Sequence, residues 1–236
     1  MKSALLSCAF LSSAHADQLD TYVSTVEKTG GWYLTESAVV SGTDVRAGVV
    51  YAIYDTSSDH LSAILRDYNR YGELIHFLSK SKIIESESAT VKQVRMRAKI
   101  LKGAIKLKAR VKATETRLDA RTVSFDLKKQ KGNLKALDAR FTVRTLSDTR
   151  SLVRIELLVD PDVWYVRDSR LSEYNHVNAR RIARALKKTA KTRPLQPLAT
   201  PPSVVKTEKP IAVPVDTSTT SKSTDMGAEK SAETSE

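Results

Sequence analysis

Only one cysteine occurs in the 236 residues, Cys8, and it lies in a segment that reads as removable. Residues 1–16 have the layout of a secretory signal. Lys2 is a minimal positive region, Ala4–Leu11 an apolar stretch, and Ala14-His15-Ala16 a small-x-small cleavage site. Cleavage after Ala16 predicts a periplasmic or secreted product without any thiol, which suits an oxidising compartment. It also excludes cysteine-based zinc sites and a cysteine nucleophile. A buried N-terminal helix is the competing reading, but helical periodicity is absent there. Leu5-Leu6-Ser7-Cys8 has a lipobox pattern, though Cys8 stands too near the start to leave a normal apolar region before it.

Long apolar runs are missing as well. Nothing beyond the leader approaches the ~18 residues that span a bilayer, so the sequence predicts a soluble product. Catalytic signatures are equally scarce. His60, His76 and His176 show neither HExxH nor paired-ligand spacing, and there is no GxSxG, P-loop or GxGxxG. No metal, cofactor or catalytic residue is implied. Asp160 and Asp162 flank Pro161, where turn chemistry accounts for them.

What is abundant is positive charge. Lys and Arg number 39 against 27 Asp and Glu, a formal net charge of +12. The excess is uneven: residues 193–236 hold five basic and six acidic side chains, whereas Lys92 to Lys112 carry nine Lys/Arg and no acid. Such a block fits either the solvated face of a sheet or a surface for an anionic partner. Lys106, Lys108, Arg110 and Lys112 form the candidate membrane-facing patch. The cationic strands lack interleaved aromatics of the kind that stack nucleobases, which argues against nucleic acid as the partner.

The pattern along the chain is strand, helix, strands, long helix. Asp17–Gly31 reads as a short helix or ordered lead-in, and Trp32–Val40 and Arg46–Asp55 as strands joined by a turn at Ser41–Asp44. Thr56-Ser57-Ser58-Asp59 can cap a helix whose Leu61, Ile64, Leu65 and Tyr68 share one face. After Gly72, residues Leu74, Ile75, Phe77 and Leu78 predict a second short helical turn. Period-two alternation then runs through Val94–Ile100, Ile105–Val111, Val123–Leu127, Ala139–Val143 and Val153–Val159. It predicts an antiparallel meander with one apolar and one wet face. Pro161 ends the last strand. A helix from Asp168 or Ser169 to about Lys191 carries Leu171, Tyr174, Asn178, Ile182, Ala185 and Leu186 as its inward stripe. From Arg193 onward Pro, Thr, Ser and Lys dominate, a composition that predicts disorder.

Val45 to Lys191 resembles the START-like, helix-grip superfamily of polyketide cyclases and lipid-transfer proteins, in particular its coenzyme Q-binding branch. The residues that carry the resemblance are Leu61-Ser62-Ala63-Ile64-Leu65-Arg66-Asp67-Tyr68-Asn69-Arg70-Tyr71, then Phe77–Lys82, and Leu171–Ala190 after Asp160-Pro161-Asp162-Val163-Trp164. Gly72 and His76 stand where that family often has prolines. The resemblance implies an α+β fold, a curved antiparallel sheet wrapped around a long C-terminal helix with a hydrophobic cavity between them. It divides the chain into a signal peptide (1–16), an N-terminal extension (17–44), a helix-grip domain (45–192) and a tail (193–236).

Given that fold, the inward faces nominate Val94, Met96, Ile105, Leu107, Phe125, Phe141 and Ile155 of the strands, opposite Tyr174, Asn178 and Ile182 of the helix. Simple packing of helix on sheet is the alternative for all of them. Tyr68, Tyr71, His76 and Trp164 are the candidate rim. Asn178 is the most telling, because an inward amide needs a partner. The expected function is binding of a lipid or quinone-like molecule by a periplasmic carrier or chaperone. A cyclase/aromatase-type enzyme using the same cavity, and an envelope interaction module without a ligand, are the other readings.

Overall fold

Residues 19–100, 103–161, 163 and 165–194 are described by the structure, a computed structural model. All belong to one compact unit within residues 1–197. The expected signal with Cys8, the rim candidate Trp164 and the tail beyond Pro194 lie outside the described residues.

Alternating apolar and polar residues build a single eight-stranded sheet. Its strands are β1 (Tyr33–Ala38), β2 (Ala47–Tyr54), β3 (Leu78–Ser86), β4 (Val91–Ile100), β5 (Ile105–Arg117), β6 (Thr122–Gly132), β7 (Ala136–Ser147) and β8 (Arg150–Asp160). They lie in the order β1-β2-β8-β7-β6-β5-β4-β3, every neighbour antiparallel. The helices are α1 (residues 19–28), α2 (Ser58–Arg66), α3 (Tyr71–Leu74) and α4 (Asp168–Thr192), with a 3-10 turn at Tyr68–Arg70. The sheet curves around α4, which gives the α+β helix-grip architecture expected from the sequence.

The alternation is realised strand by strand. Val94, Met96, Ala98 and Ile100 of β4 are buried, while Arg95, Arg97 and Lys99 between them are exposed. The same inward face continues through Leu107, Val111, Phe125, Phe141 and Ile155 into one core with Ala179, Ile182, Ala183 and Leu186 of α4. α4 is seated by close approach and hydrogen bonding. Gly48 faces the helix backbone so tightly that a Cβ there would lie 2.5 Å from the Asn175 carbonyl oxygen. Asn175 Oδ1 accepts from Val159 N at 3.1 Å, and its Nδ2 donates to the Arg46 and Val159 carbonyls at 3.1 and 3.4 Å. Ser57 caps α2 by accepting from His60 N at 3.3 Å, worth about 1 kcal/mol. The buried His60 ring meets the Ala190 carbonyl at 3.1 Å and ties α2 to the end of α4.

Four expectations are corrected. β1 pairs with β2 at the sheet edge, so the sheet reaches into the segment read as an N-terminal extension. α1 packs on the outer side of the same strands: Leu19 and Val26 bury against Val49, Ile53 and Leu152, and Tyr22 stacks on Tyr51 at 3.6 Å. The short helix ends at Leu74, and Leu78 instead opens β3, an edge strand whose exposed Lys80 and Lys82 blur the alternation. On α4, Ala185 is only half-buried, while Asn175, Ala179 and Ala183 complete the inward stripe. Finally, Arg193 is held by the domain rather than starting a tail. It pairs with Asp67 at 3.2 Å and Glu73 at 2.9 Å, its side chain 15% exposed.

Candidate functional site

At one end of the sheet the inward side chains become small and leave a space. Ala98 of β4, Ala109 of β5 and Ala139 of β7 stand there beside Met96, Leu107 and Leu127. Leu137, Leu157 and Val159 close the β7–β8 side, and Leu134 of the β6–β7 turn closes the end. Ile75, Phe77 and Leu78, between α3 and β3, form the roof. All thirteen lining residues are apolar. The cavity offers about 30 Å3 to the centres of water molecules, within about 500 Å3 of empty space that includes its open mouth. That is room for about two waters, far below the volume of a typical ligand pocket. A longer guest therefore has to displace the roof. The roof is held by Ile75 N to the Tyr71 carbonyl (2.8 Å), Leu78 N to the Ile75 carbonyl (2.8 Å) and Lys99 N to the Phe77 carbonyl (2.9 Å), with Ile75 and Phe77 buried in the core.

Of the nominated cavity residues, Met96 and Leu107 line this space. Val94, Ile105, Phe125, Phe141, Ile155 and Ile182 are buried in the same core without lining it. Their bulk is the reason: Phe125 and Phe141 are fully buried, and Phe141 packs edge-on against Tyr71 with ring centroids 6.2 Å apart. These positions are simple helix-on-sheet packing. The residues missed, Ala98, Ala109, Leu127, Ala139, Leu157 and Val159, share the inward face already visible in the alternation. The signal that would have found the three alanines is small size on that face, and Leu127, Leu157 and Val159 are their inward neighbours.

The helix candidates border the roof. Tyr174 is half-buried with its ring 6.0 Å from Phe77. Burial pushes its phenol up to about 12, against the opposing pull of the Asn178 amide and Arg181. Asn178 is fully buried, and its Nδ2 donates to the Tyr174 carbonyl one turn back at 2.8 Å. Its Oδ1 has no hydrogen-bond partner among the described residues. A buried unpaired acceptor costs about 1–3 kcal/mol.

The rim divides. His76 sits between the roof residues Ile75 and Phe77, exposed, with its ring edge-on to Phe77 at 5.6 Å. Its Nε2 accepts from Arg181 Nη1 at 3.1 Å. Partial burial and the neighbouring guanidinium hold its pKa below the ordinary histidine value, which favours the neutral ring. Tyr68 and Tyr71, by contrast, are core residues rather than rim. Tyr71 is fully buried and donates its hydroxyl to the Leu65 carbonyl at 2.7 Å, and Tyr68 packs beside it at 5.2 Å. Aromatic bulk on an amphipathic segment filled the corner under α2.

The basic patch lies on the outer face of the sheet. Lys106, Lys108 and Arg110 are exposed there, whereas Lys112 is half-buried and pairs with Glu87 at 3.2 Å. Among the described residues no cluster of three or more His, Cys, Asp or Glu is arranged to hold a metal ion.

No protein-family model matches the chain, and no curated protein matches it in sequence. Solved structures do match in shape. Human StAR-related lipid transfer protein 5 aligns with a TM-score of 0.60 at 13% identity, covering 78% of this chain and 96% of that one. A STAR-related lipid transfer protein from Xanthomonas axonopodis gives 0.59 at 11% identity, covering 67% and 93%. Human STARD10 gives 0.56 at 9% identity, covering 68% and 69%. Strand order, the long closing helix and these alignments agree that the chain has the START-like helix-grip fold.

Proposed function

We propose that this protein binds a hydrophobic small molecule, lipid or quinone-like, in the cavity beneath the Phe77 roof and acts as its carrier or chaperone in the periplasm. The observation that carries this reading is the lining itself: thirteen side chains, none with a polar group. Such a wall selects hydrocarbon by removing it from water, at about 25 cal/mol per Å2. It supplies no acid, base or nucleophile to a reacting atom, which favours binding over cyclase-type chemistry. Polar contacts for the other end of a ligand stand at the roof, in His76, Arg181 and the Tyr174 hydroxyl. The lipid-transfer proteins of the same fold support the same class of guest. The compartment rests on the signal-like residues 1–16.

The test is native mass spectrometry of the full chain purified from its own envelope, followed by solvent extraction. A bound species of defined mass, lost on extraction, is the expected result. A bare protein mass together with no uptake of lipid from liposomes would refute the reading.

A further inference from the structure

The outer face of β3–β6 carries three rows of cations without an ion-pair partner among the described residues. Strand register aligns Lys82, Arg95, Arg110 and Lys131 in one row across four strands. A second row holds Lys80, Arg97 and Lys108, and a third Lys99 and Lys106. All nine are exposed, and among the described residues none has a carboxylate within ion-pair distance. Like charges directly opposite each other on a sheet weaken it. The face is therefore worse for folding than the mixed-charge surface over β6–β8, where Arg140 pairs with Asp126 and Arg154 with Glu156.

We infer that this face docks the protein onto an anionic phospholipid surface. Charge complementarity gives the sign of the partner. The shape gives its kind, because the outer side of a sheet curled round a helix is convex and suits a broad surface better than a threaded strand. No aromatic side chain stands within the three rows to stack a nucleobase, which weighs against single-stranded nucleic acid. Position adds the third argument, and this one rests on the cavity reading above. Ala98 and Leu107 face each other in register and line the cavity, and the next residues outward, Lys99 and Lys106, form the row at that end. Lys99 N also holds the roof through the Phe77 carbonyl. Docking by these rows sets the cavity end of β4 and β5 against the lipid surface from which a guest would come.

The test is sedimentation of the full chain with vesicles of phosphatidylcholine alone or mixed equally with phosphatidylglycerol. Binding should require phosphatidylglycerol and fall steeply with salt. The variant Lys106→Glu/Lys108→Glu/Arg110→Glu should bind on the order of a hundredfold more weakly. The same changes set glutamates opposite Lys99, Arg97 and Arg95, so its thermal midpoint should rise, and lost binding cannot be unfolding. Equal binding by variant and wild type, or equal binding to neutral vesicles, would overturn the inference. So would displacement from vesicles by a single-stranded DNA oligonucleotide, which would assign the face to nucleic acid. Uptake of the neutral probe N-phenyl-1-naphthylamine reports the cavity separately. Sedimentation without probe uptake removes the cavity reading and keeps the docking face, and uptake without sedimentation does the reverse.

Discussion

The Asn175 carbonyl lies where a side chain on Gly48 would have to go, 2.5 Å from the ideal Cβ position. Both partners are backbone-fixed, Gly48 in β2 paired on both sides with β1 and β8, and Asn175 within α4, so neither yields cheaply. Gly48→Ala should destabilise the fold by about 3 kcal/mol, read from the midpoint of urea unfolding. A change under about 0.5 kcal/mol would mean that helix and sheet are less intimately joined than this contact implies.

Two asparagines one turn apart on α4 should respond in opposite ways. Asn175→Leu strands the Val159 backbone groups and should cost about 2–3 kcal/mol. Asn178→Leu removes a buried acceptor that has no partner among the described residues, and should stay within about 1 kcal/mol of wild type or gain stability. If Asn178 Oδ1 receives a donor from the guest, the same substitution should weaken binding while sparing the fold. Equal destabilisation by both variants would contradict the hydrogen-bond assignment.

Filling the space tests the cavity directly. Ala98→Val and Ala139→Val each add two carbons, matched to room for about two waters, so stability should be unchanged or raised by up to about 1 kcal/mol. Probe or lipid uptake should fall at least roughly tenfold, as expected when a pocket of this size is blocked. Undiminished uptake would move the binding site elsewhere.

His76 makes a signed prediction about pH. Its pKa is depressed in the folded state, first by partial burial and then by Arg181, so folding favours the neutral ring. The stabilisation is present above the unfolded histidine value and is lost as pH falls through the lower folded value. Protonation also turns Nε2 into a donor and breaks the bond from Arg181. The Phe77 roof should therefore loosen on acidification. Proton NMR should show His76 titrating below free histidine, and Arg181→Gln should move it upward. A His76 pKa at or above the free value would sink this account.

Much of this was legible in the residues. Alternation assigned Val94 to Ile100 and Val153 to Val159 to the correct face, because a period of two leaves no choice once one side is buried. β3 was harder, since Lys80 and Lys82 protect an exposed edge and two register shifts interrupt its pairing with β4. The cavity was the least legible part. Large apolar residues on the inward face were the natural candidates, yet Phe125 and Phe141 fill space, and it is Ala98, Ala109 and Ala139 that leave it. Where small residues from three different strands come together depends on register, which local sequence patterns do not encode. Asn178 was singled out as an inward amide, and it is. That Asn175 would take the strand-bonding role instead depends on a helix rotation of about 60°, the angle between positions three apart.

α1 shields only part of the sheet. Packed over β2 and β8, it leaves those strands covered on both sides, while β3 and β4 end the other flank with a wet, self-repelling exterior. The molecule is thus mechanically lopsided. Amide exchange should be slowest in β2 and β8 and fastest in β3 and the end of β4, where the roof is attached. The cavity can then be breached by a partial opening of the weak flank, with the α1–β2–β8–α4 half acting as the frame against which it swings.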